Sequence, residues 1–406
     1  MIDMKRPTIE EVMRDCGVTS FPERWRTFYD DVMTDYEKNG CTLADPAYYD
    51  ALEAEYGLIG EHLPVFREAA EEIAAREPLA RYLALLSHAL CDRDKITSDL
   101  ATLTFPKDEE NSLAARMLPS LAMMQGMRYA DGVMKAKGMP EDVRLRALRS
   151  LIGCVNGYRI RHSGEYGCFA FGWFQLAYDA KLHVIGSLQI ELDFPSMDFF
   201  RVYENGEGKI VSLANGFPVH KSGFALGSFR FEEEDGSFVA EFVETSDAYV
   251  GYPYDENGYV CKEKITLSKS EWHERLMPGD PVVNLHIPSG VPFTPEALDE
   301  TDQKIREFLA AYYPEYKYRA FFCGSWLLDP QLGDLLGENS NIARFGKRFT
   351  PVCTKNDGYG VFRFAFLMPD NNFRFEDLPE KTSLQRAVKQ HYLDGKAIYA
   401  MHGFYF

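Results

Sequence analysis

From Pro22 to about Arg161 apolar residues return every three or four positions, the spacing that gathers one face of a helix against a core, and strand-like alternation is scarce. Pro22-Glu23 opens one such segment, whose apolar face carries Trp25, Phe28, Val32 and Tyr36, and Asn39-Gly40 supplies its stop. Further helices are predicted over residues 46–56, 63–76 and 78–91. The same spacing runs through residues 112–137, with Leu113, Met117, Leu121, Met124 and Met127 in step, until Gly138-Met139-Pro140 breaks it ahead of another helix through Val155. The Met117, Met123, Met124 and Met127 stripe reads as adaptable core filling.

After about Tyr166 the pattern changes to short runs rich in Val, Ile, Phe and Tyr between Gly, Asn and Asp turns, as at residues 187–194, 199–203 and 210–213. The turns at Glu204-Asn205-Gly206, Asp235-Gly236 and Asp255-Glu256-Asn257-Gly258 predict antiparallel strands between 195 and 270 that elaborate a sheet. PVVNLHIP then reads as a buried strand and SGVPF as a loop. Thr294 is an N-cap with Pro295 at the first helical position, and Leu298, Ile305, Phe308, Leu309 and Tyr312 share a helix face. YRAFFCGSWLL is a second strand, and Asp329-Pro330 opens a short helix through Leu336. VFRFAFLM and AIYAMHGFYF, flanking a helix around Leu384–Tyr392, are expected to close the sheet. The fold class is α+β: an all-helical domain over residues 1–160, then a mixed β-sheet domain with flanking helices over 161–406.

Composition supports two cores, since 406 residues at 46% hydrophobic content exceed one and can fill a second. The formal charge of −18 repels nucleic acid and anionic lipid and favours an amine-bearing small-molecule guest. The eight cysteines show no CxxC pair and no histidine at metal-ligand spacing, so neither a metal site nor a disulfide framework is expected, and a reduced cytoplasm fits. The opening MIDMKRPTIEEVMRDCG has no apolar signal core and no stretch reaches the length of a membrane span, which points to a soluble chain.

The loop between the PVVNLHIP strand and its helix brings Ser289, Gly290, Val291 and Thr294 to a helix N-terminus, where unpaired N–H groups hold phosphates; an ordinary connection reads the same way. His286, alternating with Asn284 and Pro288 and opposed to Val283, Leu285 and Ile287, is a candidate general base or a core histidine bonded to a carbonyl. Cys323, with His286 and Asp329, suggests a covalent nucleophile or an inert buried thiol. Glu191 and Asp193 alternate outward from Leu188, Ile190 and Leu192, as a second carboxylate base, an amine anchor or a solvated face.

Through NLHIPSGVPFTPEALDE, YRAFFCGSWLLDPQLGDLL and SNIARFGKRF the chain resembles a bacterial acyltransferase family with a helical N-acyltransferase N-terminal domain and a GNAT-like C-terminal domain. GWFQLAYDAKLHVIGSLQIEL is similar to that family's helix and first central strand. The resemblance implies direct transfer from acetyl-CoA or another acyl-CoA to an amine. The leading expectation takes His286 as base, phosphates at Ser289, Gly290, Val291 and Thr294, and an acceptor pocket walled by Trp173 and Trp326 with Glu191, Cys323 and Ser325 nearby. The usual pyrophosphate signature, Gln/Arg-x-x-Gly-x-Gly/Ala, is altered: Ile287 holds its first position and Pro292 its second glycine, and Pro288 and Pro292 remove two amide donors. A scaffold that binds without catalysis is the second expectation.

Overall fold

A computed structural model describes residues 6–108, 110–288 and 290–406; Ser289, one of the loop residues singled out above, lies outside them. The chain divides into two compact units, Met1–His183 and Val184–Phe406. No helix among the described residues is long and apolar enough to cross a membrane.

The first unit is helical, with α1 (Ile9–Asp15), α2 (Trp25–Asn39), α3 (Pro46–Tyr56), α4 (Leu63–Ala74), α5 (Glu77–Cys91), α6 (Ile96–Leu100), α7 (Leu113–Met124), α8 (Gly126–Ala136), α9 (Glu141–Leu148), α10 (Gly153–Arg161) and α11 (Phe171–Tyr178). Local chemistry sets the boundaries. Asp45 accepts from the Ala47 N–H and Pro46 starts α3, while Gly57 ends it in the left-handed conformation. The segment predicted as one helix over 112–137 is two, parted at Gln125. Gly126 sits so close to the Tyr178 ring that a methyl group there would stand 2.3 Å from a ring carbon. Met117, Met123, Met124 and Met127 are fully buried, as core filling requires.

The second unit is built on a six-stranded sheet. Its strands are β1 (Leu182–Ile185), β2 (Leu188–Pro195), β3 (Phe200–Asn205), β4 (Ile210–Ala214), β5 (Pro218–Val219), β6 (Phe238–Val239), β7 (Val243–Glu244), β8 (Ala248–Gly251), β9 (Ile265–Ser268), β10 (Trp272–Leu276), β11 (Pro281–His286), β12 (Ala320–Ser325), β13 (Thr350–Val352) and β14 (Met401–Tyr405). The sheet order is β1-β2-β11-β12-β14-β13. β11 and β12 run parallel, joined through the eighteen-residue α12 (Pro295–Tyr312), and β11 lies antiparallel to β2, as β12 does to β14. The sheet is mixed, as expected.

Three features differ from the sequence reading. The strands between 195 and 270 do not extend the central sheet but form small sheets of their own, β10-β3-β4, β5-β6 and β7-β8-β9. β13 has no counterpart among the strands expected from the sequence. VFRFAFLM is not a strand: it contains helix α15 (Gly360–Ala365), following α13 (Gln331–Leu336) and α14 (Asn341–Gly346) and preceding α16 (Ser383–Leu393). Phe362 and Phe366, four apart, pack together at 5.4 Å between ring centroids, Phe362 packs on Tyr392 of α16, and Phe364 between them is 57% exposed. Alternate phenylalanines satisfy a strand period, but 362 and 366 also share a helix face.

The sheet's two faces have different covers. On one, Val282, Ala320, Phe322, Val352 and Phe404 pack against Phe200, Val202 and Leu276 of the β10-β3-β4 sheet. On the other lies α12, whose Asp302 accepts from the Tyr405 hydroxyl at 2.8 Å and whose Arg306 stands over the Phe321 ring.

Candidate active site

The central feature is a parting of the two parallel strands. Their register joins Val282, Val283 and Asn284 to Ala320, Phe321 and Phe322 and goes no further, although β11 continues to His286 and β12 to Ser325. Each strand keeps its outer partner: His286 stays opposite Gln189 of β2, and Ser325 opposite Met401 of β14. Paired strands sit about 4.8 Å apart. Beyond Asn284 and Phe322 that pairing is lost, leaving the ends of β11 and β12 to face one another across a slot.

At the mouth of the slot, on the face of the small β10-β3-β4 sheet, Glu191, Asn284 and His286 form one cluster. Asn284 Nδ2 donates to Glu191 Oε2 at 2.7 Å, and His286 Nε2 lies 2.9 Å from the same oxygen. A carboxylate only accepts, so the imidazole proton sits on Nε2 and the basic lone pair on Nδ1. Glu191 is only 8% exposed, which rules out a solvated strand face. Its carboxylate is positioned to orient the ring and to stabilise an imidazolium. Asn284 Oδ1 is buried with no hydrogen-bond partner among the described residues, an acceptor facing into the cluster's surroundings.

A bulge places Glu191 there. Between Val282 and Asn284 β11 advances two residues while β2 spends three, from Phe194 to Glu191. Asp193 takes the left-handed conformation at φ 58°. Phe194 and Glu191 therefore share a face although an odd number of positions separates them, and Asp193 is exposed. Tyr316 holds the bulge: its hydroxyl donates to the Val282 carbonyl at 2.6 Å and accepts from the Asp193 N–H at 3.2 Å.

The other candidates fall elsewhere. Cys323 is fully buried on the α12 face, opposite to His286, and burial pushes its thiol up to about 12; a Cys323–His286 pair is excluded by the alternation of β12. Asp329 serves the backbone, accepting from the N–H groups of Gln331 and Tyr399, and burial raises its carboxyl to about 6. Ser325 also lies on the α12 face, where its hydroxyl accepts from the Leu327 N–H in the turn carrying the buried Trp326. Trp173 is on α11 of the first unit.

In the loop, Gly290 adopts φ 76° and Thr294 caps α12 by accepting from the Ala297 N–H at 3.3 Å. Glu296 already occupies the first turn: its own N–H, then the Thr294 hydroxyl, hold its carboxyl below the usual range, with a smaller contribution from Arg344. Arg344 belongs to α14, which reaches the loop through Phe293 on Phe345 at 4.8 Å. Asn284 and Arg344 were not singled out from the sequence; an asparagine between two core positions of a buried strand was the available signal for the first. Among the described residues no group of three His, Cys, Asp or Glu side chains is arranged to hold a metal ion.

Residues 182–405 match the family described as the GNAT-like C-terminal domain. Solved structures similar to this chain include an acyltransferase in complex with decanoyl-CoA and teicoplanin, at 19% identity and a TM-score of 0.61, covering 97% of this chain and 98% of that one. An acyltransferase with CoA and 10C-teicoplanin and an acyltransferase mutant with octanoyl-CoA are each 19% identical with a TM-score of 0.62 and the same coverage. At that identity the likeness establishes the fold. No curated protein matches.

Proposed function

Because the chain belongs to the family of GNAT-like C-terminal domains, we propose that it is an acyl-CoA-dependent N-acyltransferase acting by direct transfer to an amine. One observation carries the reading: a histidine oriented by a buried carboxylate stands at the point where two parallel strands part. The slot suits an extended, amide-bearing thioester arm lying between the two strands, as an added strand would. Held there, the thioester carbonyl lies beside His286. The amine nitrogen attacks the carbonyl carbon as His286 Nδ1 takes its proton; the C–N bond forms, the C–S bond breaks, and CoA leaves as thiolate to be protonated by solvent. The acyl-CoA complexes of the similar structures support the donor, and the teicoplanin complex supports a small-molecule acceptor.

Gly290, Val291 and Thr294, together with Ser289, are the residues assigned to the CoA phosphates, and Arg344 adds a positive charge beside them. A second reading, a scaffold that binds without catalysis, draws on this same loop: Pro288 and Pro292 lack amide donors and Glu296 occupies the helix start. Product analysis separates the two. Incubation with decanoyl-CoA and a panel of amines is expected to give an amide and free CoA thiol by mass spectrometry, and His286→Ala lowers the rate about a hundredfold. An unchanged rate in a folded His286→Ala protein removes His286 from the mechanism.

A further inference from the structure

A second histidine, on β14, reaches over the β12 wall toward the slot. Asn284 is level with Phe322, so two residues on His286 is level with Gly324, and Gly324 pairs with His402 of β14. His286, Gly324 and His402 thus form one row across the sheet, on one face. Gly324 contributes no side chain, and the His402 ring fills that space: a methyl group at Gly324 would stand 2.9 Å from both Cδ2 and Nε2 of the imidazole. The ring therefore leans over β12 toward β11, Nε2 edge first.

Its orientation is fixed. Phe199 and Phe322 pack on it with ring centroids at 5.2 and 5.5 Å. Nδ1 is buried and has no hydrogen-bond partner among the described residues. Buried N–H groups without partners are rarer than buried bare acceptors, so the proton belongs on Nε2, the edge over Gly324. Burial also pushes the ring's pKa down to about 4, which keeps it neutral and a single N–H donor at neutral pH. A neutral imidazole aimed at a carbonyl is a means of stabilising the negative charge that develops on oxygen during acyl transfer.

We propose that His402 donates its Nε2–H to the acyl thioester oxygen, opposite the base His286, so that the reacting carbonyl sits between an acceptor and a donor on the two walls of the slot. This rests on the acyl-CoA reading above. It separates the roles of the two histidines: His286 moves a proton, and His402 holds the oxygen without changing its protonation state.

The test is the infrared stretch of acetyl-CoA carrying a ¹³C label at the thioester carbonyl, bound to wild type, His402→Phe and Gly324→Ala. His402→Phe keeps an aromatic ring between Phe199 and Phe322 and removes the donor; Gly324→Ala displaces the same ring without removing it. Circular dichroism establishes that each is folded. The band is expected at lower frequency in bound wild type than in free acetyl-CoA, and to return toward the free value in both variants, with turnover reduced about a hundredfold. A band unmoved in either folded variant that binds acetyl-CoA overturns the assignment of His402 alone. Failure of wild type to bind either acetyl-CoA or decanoyl-CoA overturns the acyl-CoA reading, and this proposal with it.

Discussion

His402 and His183 are both held neutral by burial, which pushes each down to about 4 from an ordinary value near 6.5. Below that ordinary value the unfolded chain takes up a proton that the native ring refuses, so stability is lost as pH falls from about 6.5 toward 4. For His402 alone the loss is at most roughly 3 kcal/mol. Asp329 works in the opposite direction: burial raises it to about 6, so the native state binds its proton first and gains stability as pH falls through that value. The informative quantity is therefore the difference between wild type and His402→Phe in urea unfolding at pH 7 and pH 4.5. Wild type is expected to lose ground relative to the variant as pH falls, whereas parallel behaviour would mean that the ring is solvated. At this scale the sequence shows His286 as a candidate through its place among alternating apolar neighbours. It did not disclose Asn284, Gly324 or His402, because their relation to His286 is one of register between strands distant in the chain. Glu191 is legible as a candidate carboxylate, but alternation alone leaves a solvated face open beside the base and anchor readings.

The reason is the bulge in β2. Strand alternation carried Glu191 and Asp193 to one side together, whereas a single left-handed residue at Asp193 separates them and turns Glu191 inward. Tyr316 clamps that bulge from outside the strand pair. Tyr316→Phe is expected to cost about 1–2 kcal/mol in urea unfolding and to reduce turnover by loosening Glu191 beneath His286; a variant with native stability and full activity would mean that the bulge holds itself. Helices were more legible than strands. Asp45-Pro46 and Thr294-Pro295 fix their helix starts through side-chain caps that act within a few residues. VFRFAFLM failed because its aromatic spacing suits both periods, and only the packing of Phe362 on Tyr392 decides between them.

For the whole molecule the acyl-CoA assignment joins a family match over residues 182–405, a fold shared along the chain with acyltransferases solved with acyl-CoA or CoA, and a slot between parallel strands flanked by an oriented histidine. The formal charge of −18 sets that assignment a specific difficulty, since a CoA pyrophosphate must bind against the average field through Gly290, Val291, Thr294 and Arg344. Isothermal titration of the purified protein with acetyl-CoA and with decanoyl-CoA is the direct test. Saturable binding of at least one acyl-CoA at a single site per chain is expected, weakened by added salt and by Arg344→Glu. A folded protein that gives no saturable binding heat with either ligand would contradict it.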